Sequence, residues 1–132
     1  RGLGDVYKRQ VCYDMRFPEL YQALSQTCTL IINIANWPDK RRDHWQTLLK
    51  ARSIECQSFI AGCNRCGSGN GLNYSGDSAV YSPWGEEAAK AEPYKEQLIY
   101  AEINGKVCRE AREIFPVKQD RKLELYRDFY AK

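Results

Sequence analysis

The clearest pattern along the chain is a pair of apolar runs flanking a helical stripe. Thr29 to Ala35 holds Leu30-Ile31-Ile32-Asn33-Ile34, rich in β-branched residues. A run of this kind predicts a strand buried on both faces, internal to a sheet. Ser58 to Asn64 predicts a second such strand, with Gly62 marking a close backbone approach. Between them Trp45, Leu48 and Leu49 fall on one stripe, which predicts a helix from about Arg41 to Gln57. Phe17, Leu20, Tyr21 and Leu24 predict an earlier helix reaching about Ser25. Gly76 to Ser82, Ala88 to Ala91 and Gln97 to Ile103 read as strands, with Pro83-Trp84-Gly85-Glu86 as the turn between the first two. Gly105 to Ile114 reads as a helix that stops before Pro116. Arg65 to Tyr74 reads as a Gly/Asn/Ser loop, and the tail from Asp120 as a charged segment with Leu123, Leu125, Tyr126, Phe129 and Tyr130 interspersed. This order predicts an α/β fold: a mixed sheet with helices on one face. The second sheet face is then apolar and needs another layer or a partner.

Residues 1–10 match no pattern that follows. Arg1-Gly2-Leu3-Gly4-Asp5-Val6-Tyr7-Lys8-Arg9-Gln10 lacks alternation and forms no apolar run. The stretch resembles a translated sequencing-adapter remnant and is expected to stand outside the fold, leaving 11–132 as the folded portion.

Composition narrows the class. A length of 132 residues suits one domain with a modest core. The net charge of +3 is spread along the chain. Its one basic cluster, Lys40-Arg41-Arg42, is flanked by Asp39 and Asp43, which argues against a nucleic-acid partner. No apolar run is long enough to cross a bilayer, so no membrane partner is expected. The six cysteines are irregularly spaced and several lie in apolar runs, which favours reduced thiols and a cytoplasmic location.

Cys12 is the leading chemical candidate. It sits between a β-like residue and a Pro-containing turn that opens a helical pattern, where a thiol can be exposed and activated by amide dipoles. The backbone amide of Tyr13 is a candidate oxyanion donor. The competing reading is a small packed thiol at a strand end. Cys63-x-x-Cys66 lacks the further ligands of a zinc site and closes a strand rather than opening a helix, so no metal is expected there. His44, the lone histidine, reads as a packed residue beside Trp45. Gly67, Gly69 and Gly71 lack the Lys-Ser/Thr of a phosphate loop.

The run Cys12-Tyr13-Asp14-Met15-Arg16-Phe17-Pro18-Glu19-Leu20 resembles the nucleophile segment of the nitrilase (carbon–nitrogen hydrolase) superfamily. The resemblance continues in register through Asn36-Trp37-Pro38, Arg41, His44-Trp45 and Ala51-Arg52-Ser53-Ile54-Glu55. It extends through Gly62-Cys63-Asn64-Arg65, Tyr74-Ser75-Gly76-Asp77-Ser78, Pro83-Trp84-Gly85-Glu86, Phe115-Pro116-Val117 and Asp120-Arg121. Within the superfamily it looks most like the ω-amidase (2-oxoglutaramate amidase) branch.

The resemblance implies a Glu–Lys–Cys triad with Cys12 as nucleophile, a small-molecule amide substrate, no cofactor and association into homo-oligomers. The triad's Glu and Lys lie upstream of the cysteine in that family. Only Lys8 and no Glu precede Cys12 here, so the chain is expected to be the C-terminal half of an αββα sandwich and inactive alone. Asn36 and Trp37 are expected at the substrate pocket. Arg41 is expected either to bind the substrate's free carboxylate in a bidentate contact or to be a solvated charge. Arg16, Arg52 and Glu55 are expected as structural support, with Arg52 and Glu55 either a buried pair or an exposed i,i+3 pair. Other branches, such as N-carbamoyl or deaminated-glutathione amidases, and a non-catalytic assembly module remain alternatives.

Overall fold

The computed structural model describes residues 7–131. Five strands form one sheet in the order β1-β2-β3-β6-β7: β1 (Tyr7–Val11), β2 (Leu30–Ala35), β3 (Phe59–Asn64), β6 (Ala79–Tyr81) and β7 (Glu87–Lys90). β1, β2 and β3 run parallel, while β6 and β7 add antiparallel, so the sheet is mixed as expected. Two helices cover one face: α1 (Pro18–Leu24) and α2 (Arg42–Cys56).

The helix stripe explains the packing. Trp45, Leu49, Arg52, Ser53 and Cys56 are the buried positions of α2, spaced by helical turns. Trp45, Leu49 and Cys56 share one core cluster with Ile31, Ile60, Ala79 and Tyr81 from the sheet. Gly62 is the close approach the sequence suggests. A Cβ there would lie 2.6 Å from both Leu49 methyls and 2.7 Å from the Trp45 ring. Asn33 interrupts the apolar run of β2 because its Nδ2 donates to the Tyr21 hydroxyl of α1 at 2.6 Å. Gln57 ends α2 in the left-handed region, φ +46°, and its Nε2 donates to the carbonyls of Ala111 and Phe115. This ties down α3 (Gly105–Ile114), whose Arg112 also donates to the Gln57 and Cys28 carbonyls.

The other sheet face is open among the described residues. Val11 is 59% exposed and Ile34 is 50% exposed. β2 therefore alternates buried and open positions instead of being covered on both faces, because α1 and α2 supply one layer only.

Four further expectations change. Tyr7–Gln10 does not stand outside the fold: it pairs with Leu30–Asn33 as part of β1, an edge strand. Ladder pairing uses backbone groups, so any stretch without proline can supply it. Residues 1–6 of that stretch, and residue 132, lie outside the described residues. Arg65 to Tyr74 is not a loop but the hairpin β4 (Cys66–Gly69) and β5 (Leu72–Ser75), turning at Asn70-Gly71 with φ +54° and +72°. That dipeptide favours the positive φ of a two-residue hairpin turn. Gln97 to Ile103 forms no strand; its alternation specifies faces, yet among the described residues no ladder partner lies beside it, and Leu98 and Tyr100 are exposed. The charged tail instead forms α4 (Leu123–Tyr130), which folds back so that the Tyr130 hydroxyl donates to Glu19 at 2.8 Å.

Candidate active site

Cys12 begins a 3-10 turn, Cys12–Arg16, directly after β1. Its backbone lies at φ +38°, the left-handed region that L residues with a side chain rarely adopt. Such strain costs of order 1–3 kcal/mol and persists only where the surroundings over-determine it. Here they do. Asp14 accepts from the Val11 amide through Oδ2 and from the Phe17 amide through its carbonyl, each at 3.0 Å. Arg52 donates to the Met15 carbonyl from Nε at 3.0 Å and from Nη2 at 2.8 Å. Tyr13 is the second residue of the turn, in the first-turn position where a helical amide has no intrahelical acceptor.

The second wall is the loop after β2. Trp37 is buried against Trp45, ring centroids 5.6 Å apart. Its Nε1 donates to the Arg41 carbonyl at 2.7 Å, which closes residues 37–41 into a fixed turn. Asn64, the last residue of β3, clasps this loop. Its Oδ1 accepts from the Trp37 amide at 2.7 Å, and its Nδ2 donates to the Trp37 and Gly76 carbonyls at 3.1 and 2.8 Å. Beneath, Arg42 forms a two-point contact with the fully buried Asp77 carboxylate at 3.1 and 2.7 Å, and the Asp77 carbonyl accepts from Trp45 Nε1.

These walls enclose a cleft of about 530 Å³. Cys12, Tyr13, Arg16, Asn36, Trp37 and Arg41 all line it, with Leu72 and Tyr74 from the hairpin. The structure thus brings together residues that are up to 29 positions apart in the candidate set (Cys12 to Arg41). Arg16 departs from its expected supporting role. It lines the cleft, with its guanidinium 4.6 Å from the Trp37 ring centroid, and stacking on the indole holds a cation at the cleft wall. Arg52 and Glu55 lie behind the turn instead. Arg52 is buried and pairs at 2.7 Å with Glu55, whose side chain is 34% exposed, so the pair is neither fully buried nor solvated. Arg41 lines the cleft and is exposed. His44 is exposed on α2, away from the cleft.

Among the described residues no Glu or Lys lines the cleft, and no group of three or more His, Cys, Asp or Glu is placed to hold a metal. The remaining cysteines divide by environment. Burial pushes the Cys56 thiol up to about 12 and raises Cys28 and Cys108 as well, which keeps all three protonated and inert. Cys63 is exposed. Sequence reasoning missed Asn64, Asp77 and the hairpin residues as builders of the site. The Asn-Gly turn signal would have found the hairpin, but nothing local marks Asn64 or Asp77 as partners of Trp37 and Arg42.

Comparison with known proteins follows the same lines. The carbon-nitrogen hydrolase family model matches residues 3–113. The omega-amidase YafV of Escherichia coli is 50% identical over 111 residues, covering 83% of this chain and 43% of that protein. The 2-oxoglutaramate amidase of Bacillus subtilis is 38% identical over 117 residues, covering 88% of this chain and 45% of that protein. The crystal structure of the C. elegans NitFhit protein superposes with a TM-score of 0.85 at 30% identity, covering 91% of this chain and 30% of that one. The chain spans about half the length of the curated relatives it matches. With the family model spanning most of the sequence and the cleft assembled around the motif cysteine, this chain belongs to the carbon–nitrogen hydrolase family.

Proposed function

We propose that the chain carries the nucleophile-bearing part of an ω-amidase, cleaving the C–N bond of a small carboxylated amide such as 2-oxoglutaramate. One observation carries the reading: Cys12 shares a single cleft with two cationic side chains, Arg16 and Arg41. A thiol facing guanidinium groups suits a substrate with a reacting amide at one end and a carboxylate at the other. The 50% identity to an omega-amidase supports the same branch.

In this reading the Cys12 thiolate adds to the amide carbonyl carbon, and the oxyanion receives the Tyr13 amide N–H. The C–N bond then breaks, and the nitrogen leaves as ammonia with a proton from a general acid. Water adds to the thioester carbonyl, the C–S bond breaks, and the carboxylate product and free thiol are released. The left-handed turn presents Cys12 to the cleft, and the Arg52 clamp keeps it there. The reaction needs a carboxylate base and an ammonium group that the described cleft residues, whose cations are both guanidiniums, do not supply. The resemblance assigns these to a Glu and a Lys upstream.

The test is ammonia release from 2-oxoglutaramate. The 132-residue chain alone is expected to show none. Residues 11–131 joined behind the matching N-terminal part of the Escherichia coli relative are expected to turn over. Cys12→Ala should abolish that turnover, and Arg41→Ala should raise KM about tenfold or more. Turnover that survives Cys12→Ala overturns the assignment. A soluble, inactive hybrid with wild-type Cys12 favours the assembly-module alternative.

A further inference from the structure

We propose that the hairpin β4–β5 is the length gauge of the Cys12 cleft, with Leu72 and Tyr74 as the specificity-determining residues. The inference rests on the amidase reading above and assigns the part of the substrate between its two polar ends.

Leu72 and Tyr74 are two residues apart on β5, so their side chains share one face, and both line the cleft. Asn73 between them points the other way and accepts from Ser68 Oγ across the hairpin at 2.8 Å. The charged and amide groups of the cleft (Arg16, Asn36, Arg41) come from the main body, whereas the hairpin adds a leucine and a tyrosine ring. An aliphatic segment joining a reacting carbonyl to a carboxylate must lie along such a wall. β5 also packs on the Asp39–Arg41 turn that carries Arg41.

The hairpin buries one of these residues at its base and leaves the other part-exposed near its tip. It makes a separate two-stranded sheet with no ladder to the main one. Its base is fixed: the Gly76 amide donates to the Arg65 carbonyl at 3.1 Å, and Asn64 Nδ2 donates to the Gly76 carbonyl at 2.8 Å. Tyr74 sits near this base, buried, with the Arg65 guanidinium 4.6 Å from its ring centroid. Leu72 follows the Asn70-Gly71 turn at the tip and is 39% exposed. Tyr74 is the floor and Leu72 the lip. The substrate class this fits is the half-amide of a short aliphatic dicarboxylic acid, with longer chains meeting the lip.

The experiment uses alkylation, which needs no turnover. The 132-residue chain is treated with N-methyl- and N-hexyl-iodoacetamide, and the rate at each cysteine is read by peptide mass spectrometry. Leu72→Ala is expected to raise the hexyl-to-methyl rate ratio at Cys12 about tenfold, and Leu72→Trp to lower it by a similar factor. Asn73→Ala should leave it unchanged, as should every variant at the exposed Cys63. A Cys12 ratio unmoved by both Leu72 variants overturns the proposal, as does an equal change at Cys63. Leu72 is a part-exposed tip residue, and a urea midpoint confirms that each variant is folded. A parallel comparison of iodoacetate with iodoacetamide reads the cations separately. If the Cys12 preference for iodoacetate is absent or insensitive to Arg16→Ala and Arg41→Ala, the carboxylated-amide reading fails, while the length ratio still judges the hairpin.

Discussion

Arg52 reaches 37 residues back along the chain to bind the Met15 carbonyl through two nitrogens, at 3.0 and 2.8 Å. It thereby fixes the turn that begins at Cys12 from a helix on the covered face of the sheet. Arg52→Met keeps the side-chain bulk but leaves that carbonyl without its donors. The expected loss is about 2–3 kcal/mol, read as a lower urea midpoint at unchanged slope. A loss under about 0.5 kcal/mol would show that the turn is held by Asp14 alone.

Strain at Cys12 gives an inverted prediction for its two smallest replacements. At φ +38° an alanine keeps the Cβ penalty and a glycine does not. Cys12→Gly should therefore be more stable than Cys12→Ala by about 1 kcal/mol in thermal or urea unfolding. Equal stability would mean that the turn relaxes to negative φ when the thiol is removed.

Alkaline stability is set by groups with opposite signs. Cys56 is pushed up from its ordinary 9.0 to about 12 and Tyr21 from 10.0 to about 12, both chiefly by burial. Between those values the unfolded chain has lost protons that the folded chain retains, so stability falls as pH rises above 9. Lys118 runs the other way. Burial, aided by Arg112, lowers it from 10.5 to about 8, so between pH 8 and 10.5 the unfolded chain holds the extra proton and stability rises. Unfolding free energy should pass through a shallow maximum near pH 9. Lys118→Met should remove the rise between pH 8 and 9 and steepen the fall between 9 and 10.5, as measured by urea midpoints from pH 8 to 10.5.

The open sheet face should bind a hydrophobic dye. Ile34 and Val11 lie side by side in the register of β1 and β2 and are at least half exposed. Ile34→Lys is expected to cut dye fluorescence about twofold or more and to reduce aggregation in light scattering, with little change in unfolding midpoint. A wild-type chain that binds no dye and stays monodisperse would show that the face is covered in solution.

Much of this architecture is written locally. The runs that became β2 and β3, the Trp45–Leu49 stripe of α2 and the stop before Pro116 each carry their own periodicity. The errors share a cause. A strand needs a partner as well as a pattern, so Gln97–Ile103 stays unpaired despite its alternation, while Tyr7–Gln10 pairs without any. α4 was hidden because its apolar residues are scattered among charges and stay largely exposed. At the site, the motif order singles out Cys12, Asn36, Trp37 and Arg41, but not how they are held. Arg42 meets Asp77 35 residues on, and Asn64 meets Trp37 across 27. The Asn64–Trp37 pair exists only once β2 and β3 lie side by side, and Arg42–Asp77 only once the chain returns from the hairpin toward β6. Nor does a cation four residues from a thiol disclose that it rests on the Trp37 ring, as Arg16 does.

Asn64 makes the cleft a closed linkage. One side chain grips both the Trp37 loop and the base of the hairpin, and Arg16 rests on the Trp37 ring. Displacement of the hairpin base is therefore felt, through the Asn64 amide and the packing of β5 on the Asp39–Arg41 turn, at the surface that carries the cation. Leu72, paired with Gly69 near the tip, lies beyond that pivot. Opposite walls of this cleft share Asn64 as a common anchor, and a change at residue 64 would register at both ends of a bound molecule together.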